Sequence, residues 1–278
     1  MRIACCQMDV RLGDAACNFD HALELVRKAA ASGADVIMLP ETWNLGFFPK
    51  NAVFIDDLNG EMVKNTFAAL AKELHVNIVA GSVIRSVGKI SVEQNDNCLI
   101  PLTTFKGTVF NTAYVFDREG ECVASYDKTH LFTPMGEHEY FTPGDRLCTF
   151  TLDGVKCGLI ICYDLRFPEL TRSLVLQGAD LLFVPAEWPA VRVAHWQTLN
   201  RARAIENQIF LACCNGCGTA GETVYGGSSA VYDPWGEILA QAGAKEEIIL
   251  ADCDFSVKEK IRESINVFRD RRPELYKL

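Results

Sequence analysis

The sequence predicts an α/β protein made of two similar halves, and three features carry that reading. The first is an internal echo: Gly33-Ala34-Asp35-Val36-Ile37-Met38-Leu39-Pro40 returns as Gly178-Ala179-Asp180-Leu181-Leu182-Phe183-Val184-Pro185. Each copy has a helix-ending glycine, a short apolar strand of the fully buried kind and a proline that stops it. The second is the surroundings, since each copy follows a strand and a helix and precedes another helix and strand. The third is a pair of matching turns, Phe116-Asp117-Arg118-Glu119-Gly120-Glu121 and Tyr232-Asp233-Pro234-Trp235-Gly236-Glu237, each read as a hairpin. Either half alone would leave one sheet face bare, so the two pack into a single domain spanning residues 1–278 without a linker.

The elements follow in order. Residues 3–7 form an apolar strand, and a helix follows in which Phe19, Ala22, Leu23, Val26, Ala29 and Ala30 share one face, with Asn18 as its N-cap. After the first echo come a helix at 62–74 and a strand at 76–80. Residues 84–111, rich in Asn, Ser, Gly and Thr, have no counterpart of that size in the second half and read as an insertion in loop form. The second half repeats the order: a strand at 157–162, a helix opened by Pro168, the echo, a helix at 195–207 and a strand at 208–214. Residues 255–278 form a charged C-terminal arm around Ile261, Ile265 and Phe268, read as a surface helix and then an extended end at Pro273.

Composition narrows the function. With 278 residues, 49% of them hydrophobic and 23% charged, the chain buries a core without staples. A formal net charge of −9 supplies no basic field for nucleic acid or an anionic membrane. Arg2 interrupts any leader-like apolar start, and no later run approaches the roughly 18 residues of a spanning helix, so a cytoplasmic location is expected. Cys5, Cys6, Cys157, Cys162, Cys213 and Cys214 fall in apolar, strand-like stretches where a thiol acts as a small hydrophobe. Cys214-Asn-Gly-Cys217 has half the spacing of a zinc site and nothing to complete it, so neither metal nor cofactor is expected.

In α/β proteins, reactive residues gather past the carboxyl ends of strands. That rule selects Glu41 after the first echo, Cys162 before the Pro168 helix, and Lys128 after the first hairpin. Acyl transfer from an amide needs a nucleophile, a base that later protonates the leaving amine, and positive charge where the oxyanion develops. Cys, Glu and Lys supply all three. A Cys–His pairing through His130 or His195 is the rival reading from the same residues.

Leu39-Pro40-Glu41-Thr42, Asp127-Lys128-Thr129-His130-Leu131-Phe132 and Cys162-Tyr163-Asp164-Leu165-Arg166-Phe167-Pro168-Glu169 resemble, in order, the signature segments of the nitrilase, or carbon–nitrogen hydrolase, superfamily. The resemblance implies a four-layer α-β-β-α sandwich and a homodimer or higher homo-oligomer. It implies Cys162 as nucleophile, Glu41 as general base and acid, and Lys128 with the Tyr163 N–H at the oxyanion. A lysine close to both groups would favour thiolate and carboxylate. A second glutamate upstream of Tyr140-Phe141-Thr142-Pro143-Gly144-Asp145 is assigned by spacing to Glu137, with Glu139 the other candidate.

Trp188-Pro189-Ala190-Val191-Arg192-Val193-Ala194-His195-Trp196 resembles the bacterial ω-amidase-like branch, which cleaves short dicarboxylate monoamides. Arg166 is then the residue for the distal carboxylate, with Arg192 a second candidate, because a planar guanidinium matches a carboxylate with two parallel hydrogen bonds. The bland alternative pairs Arg166 with Glu169. Glu187 brings a negative charge to this pocket, either repelling an acidic substrate or anchoring an arginine. Trp43, Phe47 and Phe48 read as an apolar wall or as core. An N-carbamoyl-amine hydrolase or an aliphatic amidase would use the same triad.

Overall fold

The computed structural model describes residues 1–47, 59–93 and 102–276, with side chains left aside at 90–93 and 102–105. The strands are β1 (Arg2–Gln7), β2 (Val36–Met38), β3 (Asn77–Glu93), β4 (Leu102–Phe116), β5 (Cys122–Asp127), β6 (Thr149–Leu152), β7 (Val155–Leu159), β8 (Leu181–Ala186), β9 (Phe210–Asn215), β10 (Thr219–Ala220), β11 (Thr223–Val224), β12 (Ala230–Tyr232), β13 (Ile238–Gln241) and β14 (Glu247–Asp252). The α-helices are α1 (Ala15–Ala31), α2 (Glu61–Leu74), α3 (Pro168–Leu176), α4 (Val193–Asn207) and α5 (Val257–Ser264).

Two six-stranded sheets result, ordered β14-β1-β2-β3-β4-β5 and β13-β12-β9-β8-β7-β6. Their matching cores are β1-β2-β3 and β7-β8-β9, parallel throughout, so the duplication seen in sequence is a duplication of sheets. Side chains alternate across a strand, and β1 uses this fully. Ala4 and Cys6 pack with Val26, Phe67 and Leu70 of α1 and α2, while Ile3 and Cys5 join the core that includes β7, β8 and β9. Trp196 and Ala204 of α4 and Leu174 of α3 belong to that second core. The layers therefore run helix, sheet, sheet, helix. Between the sheets, the Cys214 thiol lies 3.2 Å from the Cys6 carbonyl.

Three expectations change, and for Trp43 one of two alternatives is decided. Asp14, not Asn18, caps α1, accepting from the Cys17 N–H at 3.2 Å; Asn18 sits buried one turn in and holds the Arg11 and Asn44 carbonyls. Pro185 does not stop β8, which continues to Ala186 beside β9; pairing with β7 has ended at Phe183, so a missing N–H on that side costs no ladder bond. Within 84–111, the described residues are not a loop but the outer reach of β3 and β4, paired in register from Ile84↔Asn111 to Glu93↔Leu102. Trp43 is core, with its ring 5.5 Å from both Phe19 and Phe67 and its indole N–H on the Ala80 carbonyl.

The C-terminal arm folds back on its own chain. Lys258 reaches Asp180 at 2.7 Å, Gln208 holds the Ile265 carbonyl, and Phe268 packs under the Arg172 and Arg262 guanidiniums. Among the described residues no helix is long and apolar enough to cross a membrane.

Phe67 sits at the centre of the outer helical layer, fully buried against Trp43, Phe19 and Phe116. Phe67→Ala is expected to lower the unfolding free energy by about 3–5 kcal/mol, and the exposed Asp20→Ala by less than about 0.5 kcal/mol. Urea melts of the two variants check this, and equal losses would contradict the assigned core.

Candidate active site

The site lies where the two halves meet. Chain leaving β2 and chain leaving β8 touch directly: the Glu41 N–H points at the Ala186 carbonyl, and the Glu187 N–H donates to Glu41 Oε2 at 2.9 Å. Lys128 follows β5, and its N–H bonds the Asn111 carbonyl of β4. Cys162 follows β7 in a single tight turn. Thr42 and Cys162 both adopt left-handed backbone, with φ of 41° and 47°. For residues with a Cβ this costs on the order of 1–3 kcal/mol and persists only where surroundings enforce it.

Glu41, Lys128 and Glu137 are completely buried. Lys128 Nζ lies 2.8 Å from Glu41 Oε1 and 2.9 Å from each oxygen of Glu137. Asn111 Nδ2 adds a bond to Glu41 Oε1 at 2.8 Å, and the Phe132 N–H one to Glu137. Burial alone would lower the Lys128 ammonium's pKa, but the two carboxylates outweigh it and hold it above its ordinary value. Burial, aided by nearby Glu41, raises the Glu137 carboxyl against the pull of Lys128. Glu139, the other candidate, is exposed.

Burial and the Glu41 carboxylate push the Cys162 thiol well above its ordinary range, and Lys128 only partly opposes them. This differs from the expectation that lysine would favour a thiolate. That direction favours the thiol, which is hydrogen-bonded to Glu41.

A pocket with about 380 Å³ of empty space, counting its mouth, opens beside Cys162. Phe47, Phe132, Tyr163 and Trp188 line it together with Arg166 and Arg192. The Arg166 guanidinium lies 4.7 Å over the Trp188 ring and that of Arg192 5.3 Å over the Phe132 ring. Among the described residues neither forms an ion pair with a carboxylate, so the pairing of Arg166 with Glu169 is absent. Burial and the neighbouring Arg192 lower the Arg166 pKa. Trp188 is fixed by Asn215, which receives its N–H and donates to its carbonyl.

Glu187 resolves differently from both alternatives read in sequence. It is buried, accepts from the Thr42 hydroxyl at 3.0 Å, and pairs with no arginine among the described residues. Burial and the adjacent Glu41 raise its carboxyl well above the usual range, the direction that favours the neutral acid. Phe47 lines the pocket, whereas Phe48 lies outside the described residues. His130 turns to Asp164 and stacks on Phe167 at 3.7 Å, and His195 faces Arg166. Cys162 is surrounded instead by Glu41, Lys128 and Glu137.

Sequence reasoning missed Asn111, Asp164, Asn215 and Tyr225, the last a lining residue of the pocket beside Cys162. Asn111 was masked by the loop reading of 84–111; continuing the β4 alternation one residue inward would have found it.

Comparison with known proteins agrees. The carbon-nitrogen hydrolase family profile matches residues 2–263. The 2-oxoglutaramate amidase of Bacillus subtilis (strain 168) is 40% identical over 274 residues, 99% of this chain and 98% of that one. Human omega-amidase NIT2 is 33% identical over 272 residues, 93% of this chain and 91% of its own. Saccharomyces cerevisiae Nit3, a member of branch 10 of the nitrilase superfamily, superposes with a TM-score of 0.85 at 26% identity, covering 98% and 96% of the two chains. The chain belongs to the carbon-nitrogen hydrolase family, and its two-sheet sandwich is the nitrilase-superfamily fold. It is an enzyme of the class that acts on non-peptide amides.

A protonated Glu187 carries a pH signature. Unfolded, it ionises above about pH 4.3; folded, its raised value keeps the proton. Its contribution to stability is therefore full below that pH and declines as pH rises. Glu187→Gln removes the titration, so the stability difference is expected to move in the variant's favour by about 1.4 kcal/mol per pH unit. Thermal melts at about pH 5 and about pH 7 check this; an unchanging difference would mean an ionised Glu187.

Proposed function

We propose that the protein is an ω-amidase-like hydrolase that releases ammonia from the terminal amide of a small carboxylate-bearing substrate such as α-ketoglutaramate or succinamate. The observation that carries this reading is one pocket lined both by Cys162, whose thiol neighbours the buried Glu41, Lys128 and Glu137, and by two guanidiniums that form no ion pair with a carboxylate among the described residues. The names of the Bacillus and human relatives support the same substrate class.

In this reading Glu41 takes the Cys162 proton as sulfur attacks the amide carbonyl, and Lys128 Nζ with the Tyr163 N–H stabilises the oxyanion. Glu41 returns the proton to nitrogen, the C–N bond breaks, and ammonia leaves a thioester on Cys162. Water, deprotonated by Glu41, adds to that thioester, and the acid leaves with the thiol restored. Glu137 holds Lys128 in place, while Arg166 over Trp188 and Arg192 over Phe132 bind the distal carboxylate, with Glu187 as the neutral wall. In a glutamate-to-glutamine mutant of a solved relative, the amidase from Nesterenkonia sp. AN1, the acetamide moiety of fluoroacetamide is covalently added at the active site cysteine, which supports the nucleophile assignment by analogy.

The chain is further read as one catalytic domain acting in the cytoplasm on a small-molecule amide, without nucleic acid or membrane. Free cysteines support that compartment. Exposed Ile205, beside the Trp235 turn, and exposed Ile238 and Leu239 support a homodimer or higher homo-oligomer.

Ammonia release from succinamate and α-ketoglutaramate, compared with propionamide and an N-carbamoyl amine, tests the reading. Cys162→Ala is expected to abolish turnover. Arg166→Met is expected to raise KM for succinamate by roughly 30-fold, the worth of a charged hydrogen bond of about 2 kcal/mol, and to spare propionamide. Turnover confined to the carbamoyl compound would keep the triad and overturn the pocket assignment.

A further inference from the structure

Asp164, two residues beyond Cys162, is completely buried and stands outside the cluster described above. Its carboxylate receives five donors. Oδ2 accepts from the Ile161 N–H at 3.0 Å and the Tyr126 hydroxyl at 2.8 Å. Oδ1 accepts from the Thr129 hydroxyl at 2.9 Å, the His130 N–H at 2.9 Å and His130 Nδ1 at 2.7 Å. The Asp164 N–H bonds back to the Ile161 carbonyl at 3.0 Å.

These bonds join two places. Both polar groups of Ile161 are tied to Asp164, which closes the turn around Cys162 and holds its left-handed backbone. Tyr126, Thr129 and His130 flank Lys128 on either side in sequence, and the Tyr126 and Thr129 hydroxyl oxygens lie 3.0 Å apart. Cys162 and Lys128 arrive from different sheets, so nothing in the covalent chain fixes their separation. A buried carboxylate with this many partners leaves little freedom to either segment.

We infer that Asp164 is a positioning residue, which through Tyr126, Thr129 and His130 sets the location of Cys162 relative to Lys128. It touches no substrate. The inference rests on Cys162 as the nucleophile and Lys128 as the oxyanion group. Misplacement of reacting atoms by about 1 Å costs on the order of 100-fold in rate, so a loosened clasp lowers kcat and leaves the pocket's grip on substrate intact.

The test uses Tyr126→Phe and His130→Gln, which each remove one side-chain donor, together with Asp164→Asn. His130 is only half-buried, so His130→Gln keeps the test open where Asp164→Asn does not fold. For folded protein, kcat for succinamate, KM, and the rate of Cys162 alkylation by iodoacetamide, read from the labelled peptide, are measured. The expected result is a kcat lowered roughly tenfold in the single-donor variants and 100-fold in Asp164→Asn, KM within about twofold, and an altered alkylation rate. A fall in melting temperature with kcat and alkylation unchanged would make Asp164 a purely structural group and overturn the inference. Full activity in Cys162→Ala would instead overturn the nucleophile reading beneath it, and the alkylation rates still report the clasp directly.

Discussion

A lysine ammonium buried away from all water has to be paired on every side, and much of this fold is organised around meeting that demand at Lys128. Two carboxylates do so from different segments, Glu41 from the loop after β2 and Glu137 from the turn after Leu131. Those carboxylates bring demands of their own, met by Asn111, the Phe132 N–H and the Glu187 N–H. Removing one member of such a set leaves an uncompensated buried charge, which costs about 3–5 kcal/mol. The pairing also bears on the proposed chemistry: burial and Glu41 raise the Cys162 thiol, so in that reading its proton leaves as sulfur attacks.

The duplicated architecture is what makes the arrangement possible. Strands β2 and β8 occupy equivalent places in their sheets and both end near a proline, so the residues that follow them, Glu41 and Glu187, emerge side by side. One pairs with Lys128. The other bonds the Thr42 hydroxyl, is raised by burial and by Glu41, and forms a wall of the pocket. Two guanidiniums line the apolar pocket beside Cys162, and in the proposed reading they meet the substrate's charge while the buried cluster meets its amide.

Much of this was legible in sequence. The echo around Pro40 and Pro185 announced the paired sheets, because a buried parallel strand has a recognisable apolar run. Glu41, Lys128 and Cys162 stood out as strand-end residues with complementary chemistry. What escaped was whatever depends on tertiary partners. Asp14 and Asn18 are equally good caps by residue type, and only the Arg11 and Asn44 carbonyls decide that Asn18 turns inward. The polar outer reach of β3 and β4 has a loop's composition, yet strand pairing overrides it. The protonation of Cys162 and Glu187 follows from depth, which no local pattern records.

The central claim is that Cys162, driven by Glu41 and Lys128, carries the substrate's acyl group. Rapid acid quench of the enzyme turning over succinamate, followed by intact-mass and peptide analysis, tests it most directly. The account predicts an added succinyl mass located on the Cys162 peptide and sensitive to hydroxylamine. Turnover with no such mass, or with the mass on another residue, would contradict it.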